Sequence, residues 1–318
     1  MIAEIAAALT AAESVLILSH EHPDGDGIGC ALALAHALKA ADRRVCVALA
    51  GGVPEKYRFL PGSECVVGED TGVEVAVAVA VDCDGPTRLA GLQAAFDAAP
   101  LHISIDHHGS REPFADLNYV DPSAAATGLP ILHVLQAMGA EITPDIATCL
   151  YAAIATDTGL FRFQNTSSRA LSAAAAMAES GASPYEVAQA TSDVRPLRAM
   201  RLLGRALAQL QSHGDGRVAF SAITLEDKAL AGSKDEDTEG IIDVFKTVEG
   251  AEVHVLLREL PDNEWRGSLR SKELNVATIA AQFGGGGHKA AAGFTTYGNK
   301  AEVEARVLAA VEQGLTTS

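Results

Sequence analysis

The sequence predicts an α/β protein in two parts: an N-terminal domain built on a parallel sheet, then a smaller α/β domain. Three observations predict it. Short β-branched runs alternate with helical periodicity through the first half, as expected of parallel strands buried on both faces. A chain of 318 residues is too long for one comfortable core. A breaker cluster, His213-Gly214-Asp215-Gly216, precedes a second set of strands and helices.

The elements follow in order. The N-terminus, MIAEIAAALTAAES, reads as an amphipathic helix. Residues 15–18 are a buried strand, 28–39 a helix and 44–49 a second strand. Residues 65–67 read as a short third strand and 73–81 as a long β-branched one. A helix at 87–98 and a strand at 102–105 come next, and from Ser123 to about Ala190 the pattern is helical. Residues 193–211 read as one helix carrying four arginines. It serves as a connector, or alternatively as the last helix of the first domain. The expected division is 1–190, connector 191–214, and 215–318. The second domain has strands at 217–223, 253–257 and 265–269, and helices at 240–247, 277–283 and 301–313.

Composition limits the partners. The formal net charge is −17. Neutralisation of phosphates drives binding to long nucleic acid, so no long strand is expected as a stable partner. Any phosphate substrate must meet a local cationic site. Five cysteines without a CxxC pair suit a reduced, cytoplasmic setting. No secretory signal is evident, and no apolar run is long enough for a membrane span.

The chemistry-bearing residues fall at strand ends. His20-Glu21-His22-Pro23-Asp24-Gly25-Asp26-Gly27 follows the first strand. The long strand ends in Asp82-Cys83-Asp84, the next in Asp106-His107-His108, and a later helix in Asp157. In open α/β sheets the carboxyl ends of the strands converge on the ligand. Crowded carboxylates repel, and a divalent cation resolves that repulsion. The plain alternative for the first loop is aspartates that cap the following helix. Taken together, imidazole and carboxylate suit manganese, iron or cobalt. Farther on, Gly284-Gly285-Gly286-Gly287-His288 reads as an ordered loop whose backbone can nest a phosphate, ahead of any helix N-terminus that follows. Arg270 can fork onto a phosphate, with Ser271 and Lys272 as further donors; Arg258 is a weaker candidate. Asp237 reads as the N-cap of the next helix.

The triplet Asp106-His107-His108 resembles the motif that names the DHH phosphoesterase superfamily. His20-x-x-x-Asp24-x-Asp26, Asp82 and Asp157 stand in the matching order. The SLRSK run from Ser268 to Lys272 and the glycine run ending in His288 are similar to the two signatures of the DHHA1 domain. Domain order and length resemble the NrnA-like group, nano-RNases that hydrolyse very short oligoribonucleotides and in many cases remove the 3′-phosphate of pAp.

The resemblance implies two divalent ions, most readily Mn2+. His20 and Asp24 would hold one, Asp26, His107 and Asp157 the other, and Asp82 would bridge them. Asp106 would orient His107, and His108 would act at the substrate phosphate beside Asp82 as a catalytic residue. Arg270, Ser271, Gly285, Gly286, Gly287 and His288 would bind substrate, with the active site in the cleft between the domains. The implied reaction is in-line hydrolysis without a covalent enzyme intermediate. The implied substrates are short oligoribonucleotides, pAp or linear dinucleotides, and a homodimer is one assembly left open.

Related readings are a cyclic-dinucleotide or pApA phosphodiesterase, a RecJ-like single-strand exonuclease, a family II pyrophosphatase and a non-catalytic nucleotide sensor. The charge opposes the exonuclease, and the glycine run opposes the pyrophosphatase. The complete ligand set opposes the sensor.

Overall fold

A computed structural model describes residues 1–69, 71–109 and 113–317. They form two compact units, Met1–Val194 and Arg195–Ser318. The first contains α1 (Ile2–Ala11), β1 (Ser14–Leu18), α2 (Gly25–Ala40), β2 (Arg44–Ala48), β3 (Val77–Val81) and α3 (Gln93–Asp97). β4 (Leu101–Asp106), β5 (Leu117–Val120), α4 (Gly128–Ala137), α5 (Pro144–Asp157), α6 (Ser168–Glu179) and α7 (Pro184–Ala188) complete it. Its five strands are all parallel, in the order β2-β1-β3-β4-β5. The order reverses at β1. The crevice beyond the carboxyl ends of β1 and β3 is therefore the switch point where such sheets take ligands.

Strand composition sets the layers. Val15, Ile17, Val77, Val79, Val81, Ile103 and Ile105 enter one core with residues of α1, α2, α4, α5 and α6. Leu16, Leu18, Ala78 and Ala80 enter another, closed by Leu89, Leu92 and Phe96. The Val-Ala alternation of β3 places its larger side chains in the thicker layer. α2 and α5 pack closely because two glycines permit it. A Cβ at Gly29 would run into the Cys149 carbonyl, and one at Gly25 into the Thr156 side chain. That approach brings the start of α2 beside the end of α5.

Several expected elements differ. Residues 65–67 make no strand: Ser63–Cys65 is a 3-10 turn, and Val67 forms only an isolated bridge to Ala48. So short a run cannot hold a ladder against an edge strand. The β-branched run from 73 becomes a strand only at Val77, because β1 begins at Ser14 and offers no partner earlier. The helix at 87–98 is a 3-10 segment, Pro86–Leu92, broken at Ala90 and followed by the short α3. β5, a half-buried edge strand without clear alternation, escaped the pattern.

The second unit contains α8 (Leu197–Ala208), β6 (Gln211–His213), β7 (Val218–Ile223), α9 (Leu225–Ala231), α10 (Ile241–Phe245), β8 (Val253–Glu259) and β9 (Glu264–Ser271). α11 (Val276–Ala281), β10 (Gly286–His288), β11 (Ala291–Tyr297) and α12 (Lys300–Thr317) follow. Six strands lie in the order β10-β11-β9-β8-β7-β6, antiparallel except for β7 with β8. Val255, Leu257, Trp265, Leu269 and Phe294 pack with α11 and α12. Leu256 and Ile223 pack with α8 and α10.

The arginine-bearing helix is therefore not a free connector. Leu202 and Ala206 are buried in the second unit's core, Arg205 pairs with Asp227 at 2.7 Å and Arg198 with Asp237 at 2.7 Å. Its helical run starts only at Leu197, after Pro196. Asp237 does not cap the next helix. It accepts from Arg198 and from the Lys234 amide. Among the described residues, no helix is long and apolar enough to cross a membrane.

Asp227 anchors α8 to α9. Burial opposes its charge, but the Thr224 amide and hydroxyl, the Gln209 amide and the Arg205 guanidinium outweigh it and hold the carboxyl down to about 2. A carboxylate lowered by folding stabilises the protein above its unfolded pKa near ~4, and that contribution is lost as pH falls through the folded value. Asp227→Asn should lower neutral-pH stability on the order of 2 kcal/mol. Its deficit against wild type should shrink between about pH 4 and pH 2. Urea unfolding followed across that range checks both the sign and the window.

Candidate metal centre

The six expected ligands converge at the switch point of the first sheet. His20 follows β1, Asp82 follows β3, and Asp106, His107 and His108 end or follow β4. Asp24 and Asp26 start α2, and Asp157 ends α5. Two donor clusters contain the expected ligands alone, His20-Asp24-Asp82 and Asp26-His107-Asp157, and a third group joins Asp82 and His107 to Asp106 and His108. His20 Nε2 lies 3.6 Å from Asp82 Oδ2 and 4.0 Å from Asp24 Oδ1. His107 Nε2 lies 3.6 Å from Asp157 Oδ2, 3.9 Å from Asp26 Oδ2 and 3.8 Å from Asp82 Oδ1. One oxygen of Asp82 faces each cluster, the arrangement expected of a bridging carboxylate.

The donor set fits divalent cations. Ligands bonded at about 2.0–2.2 Å stand roughly 3–3.6 Å apart around one ion, so the observed separations need only small side-chain adjustments. The histidines are set for ligation. His20 Nδ1 lies 2.7 Å from the Glu21 carbonyl, and His107 Nδ1 lies 3.2 Å from the Ala124 carbonyl. A carbonyl only accepts, so each Nδ1 carries a proton, and Nε2 is the nitrogen left to bind a cation among the carboxylates. A cation displacing any proton on Nε2 would satisfy ring and carboxylates together.

The electrostatics agree. Burial, reinforced by Asp82, Asp157 and Asp24, pushes Asp26 well above the usual carboxylate range. Burial likewise raises Asp157 to about 6, with the charge of His107 opposing. Burial also disfavours the charge on Asp82, but His20 outweighs it, and its carboxyl is lowered. The backbone at Asp82 is left-handed, φ 51°, a conformation that Asp tolerates better than most residues.

Asp24 shows that capping and ligation coexist. Its Oδ1 accepts from the amides of Asp26 and Gly27, capping α2, while the carboxylate also borders His20. Asp106 departs from expectation. It accepts from His108 Nδ1 at 2.9 Å and from the amides of His107 and His108, so it orients the ring of His108 and not that of His107. The bond to Asp106 is also the main cause that pushes His108 up to about 9, against a smaller opposing effect of burial. His22 stands outside both clusters, exposed in a left-handed turn.

Sequence reasoning missed Thr127. It stands at the start of α4 but makes no side-chain cap there. Its amide donates to Asp26 Oδ2 at 2.6 Å, its hydroxyl donates to Asp82 Oδ1 at 2.9 Å, and the Gly128 amide donates to Asp26 Oδ1 at 3.0 Å. The only signal in the sequence is a polar residue ending the small-residue run Ala124-Ala125-Ala126, and that signal reads equally as an ordinary helix start.

The expected substrate residues lie on the second unit's sheet. Arg270 pairs with Ala291 and Ala291 with His288, so Arg270 and His288 flank one small residue on one face. The neighbouring rung of that face is Ser268, Gly293 and Gly286. Arg258 pairs with Arg266 and shares this face too, donating to Thr238 at 3.0 Å. Ser271 is on the opposite face, where its hydroxyl accepts from the amides of Glu273 and Leu274. No helix follows the glycine run, which enters β10. Gly287 and Gly285 are there for steric reasons: a Cβ on either would collide with the backbone of β11. Gly286 alone of these three faces open space.

A doubly wound sheet with two histidine-carboxylate clusters that meet at one aspartate is an arrangement that suits a metal-dependent phosphoesterase. The comparisons agree: residues 14–154 match the DHH family, N-terminal domain, and residues 228–317 match the DHHA1 domain. The chain belongs to the DHH family of phosphoesterases, in its DHH–DHHA1 form. It is 35% identical over 316 residues to the bifunctional oligoribonuclease and PAP phosphatase NrnA of Thermus thermophilus, covering 98% of this chain and 94% of that one. An exopolyphosphatase-related protein from Bacteroides fragilis superposes with a TM-score of 0.91 at 25% identity, over 99% of this chain and 95% of the other. RecJ of Thermus thermophilus in complex with Mn2+ shares the fold, with a TM-score of 0.53 at 17% identity, over 97% of this chain and 54% of RecJ.

Asp82→Asn keeps a residue that tolerates the left-handed backbone and removes the charge both clusters share. Wild-type protein should gain thermal stability on addition of Mn2+, by mass action on the folded state. The variant should fold, gain little, and lose turnover by more than roughly a thousandfold, or ~4 kcal/mol of barrier. Melting curves with Mn2+ and with EDTA, beside a phosphodiester assay, check all three.

Proposed function

We propose that this protein hydrolyses phosphoester bonds in short oligoribonucleotides and removes the 3′-phosphate of pAp, using two Mn2+ ions. The observation that carries the reading is the shared carboxylate: Asp82 turns one oxygen to His20 and the other to His107. The name of the Thermus thermophilus relative, a bifunctional oligoribonuclease and PAP phosphatase, supports the substrate class.

His20 and Asp24 would hold one ion, Asp26, His107 and Asp157 the other, and Asp82 both. When bound, such a pair polarises phosphoryl oxygens and makes water a competent nucleophile near neutral pH. The chain's own residues do the rest. His108, kept protonated by Asp106, donates a hydrogen bond to a phosphoryl oxygen or a proton to the leaving oxygen. Arg270 and His288 grip a substrate phosphate, and the glycine rung beside them lets the substrate lie close to the sheet. Their cationic reach is confined to a few strand positions in a chain of net charge −17. That favours a short substrate over a threaded polymer.

The test is a panel of pAp, pApA and oligoribonucleotides of graded length, under single-turnover conditions at fixed salt, with Mn2+ and with Mg2+. pAp and substrates of two to about four nucleotides should turn over fastest. Mn2+ should far outperform Mg2+, because imidazole nitrogen suits manganese while magnesium prefers oxygen. A 24-mer cleaved as fast as a dinucleotide would identify a processive exonuclease instead. Arg270→Ala should raise KM by roughly tenfold or more while leaving the Mn2+-induced rise in melting temperature unchanged. Equal KM for variant and wild type would remove Arg270 from the substrate grip.

A further inference from the structure

We propose that the hydroxyl of Thr127 is the positioning group that holds Asp82 in its bridging orientation, so that one side chain sets the spacing of the two ions. The inference rests on the two-ion reading above and concerns a residue outside the ligand set. Asp82 is 3% exposed and must aim its two oxygens in opposite directions. A carboxylate rotates about its terminal bond with a broad, shallow preference, so some partner has to fix it.

The Thr127 hydroxyl donates to Asp82 Oδ1 at 2.9 Å, and its longer approach to Asp106 Oδ1, 3.4 Å, makes the bond bifurcated. Oδ1 has two lone pairs. Occupying one with Thr127 leaves the other toward His107, and the rigid carboxylate then turns Oδ2 toward His20.

Thr127 is itself held. It is fully buried, its amide is spent on Asp26, and it begins a ten-residue helix. The preceding turn is pinned from three sides. Asp121 pairs with Arg169 at 2.7 Å, the Ala124 carbonyl binds His107, and the Ala125 carbonyl accepts from Asn165 at 3.0 Å. One turn therefore orients a ligand of the second cluster through its backbone, and the shared ligand through the Thr127 side chain. A merely structural threonine at a helix start would spend its hydroxyl on its own helix, and this one does not.

The test uses the full chain and Thr127→Val, which keeps the shape and the amide bond to Asp26 but deletes the hydroxyl. Mn2+ titration is followed by electron paramagnetic resonance. Wild type should bind two ions and show the exchange-coupled spectrum of a bridged pair. T127V should melt near wild type without metal yet bind the second ion roughly ten- to a hundredfold more weakly. Its residual signal should be that of uncoupled Mn2+, and kcat should fall more than KM changes. Thr127→Ser should restore the coupled spectrum. If T127V does not fold, Thr127→Ala against T127S carries the same comparison. A T127V or T127A protein that binds two coupled ions with wild-type affinity overturns this inference alone. A wild-type protein that binds no manganese pair overturns the two-ion reading, and this inference with it.

Discussion

Everything in the first unit answers to one electrostatic constraint: Asp24, Asp26, Asp82 and Asp157 have to be held close together, around two imidazoles, in a partly dry place. Burial disfavours such charges and like charges so placed add to the cost, and the upward shifts of Asp26 and Asp157 record both. The fold meets it with neutral donors. The N-terminus of α4 offers two amides to Asp26, the N-terminus of α2 offers two to Asp24, and β4 runs into two that serve Asp106. Helix N-termini suit this task because their free amides and dipole favour negative charge.

Positioning the donors depends on the packing behind them. The crevice exists because the strand order reverses at β1, which leaves the ends of β1 and β3 without a crossing connection between them. α5 reaches that crevice only because α2 presents glycines to it. A bulkier helix face would move Asp157 away from His107, although Gly29 stands nearly a full turn or more from either aspartate at the start of α2. Packing in the core and geometry in the site are thus the same problem in this unit.

The second unit solves a different one. Its sheet presents arginines on one face beside strands of small residues. Alternation along β9 gives one face Arg266, Ser268 and Arg270 and sends Trp265, Leu269 and Ser271 to the other. Beside the arginines run Ala291 and Gly293 on β11, then Gly286 and His288 on β10, so the face is low between its charged rows. The glycine run is better understood as a tightly packed edge strand than as a loose loop, since two of its members fit only without a Cβ.

Much of this was legible in the chain. The parallel sheet followed from β-branched runs separated by helical periods, and the acidic strand ends marked the crevice, because strands in one parallel sheet end together. Both are local signals that need no partner to be read. The extents of β3 and of residues 65–67 were not legible, since a strand exists only as far as its neighbour offers hydrogen bonds, and that depends on register. The place of α8 was equally hidden: its amphipathic pattern announced a buried face but not which core would bury it.

In the site itself, the resemblance to the DHH pattern pointed to His20, Asp24, Asp26, Asp82, His107 and Asp157, and the structure brings their donor atoms close together. Only the tertiary structure decided the orientations. It gave Asp106 to His108, turned Ser271 to the opposite face from Arg270, and brought in Thr127 from the start of a helix that follows β5. The bond from Thr127 to Asp82 joins residues 45 apart in the chain, and such a bond has no period or spacing along the sequence from which it can be read.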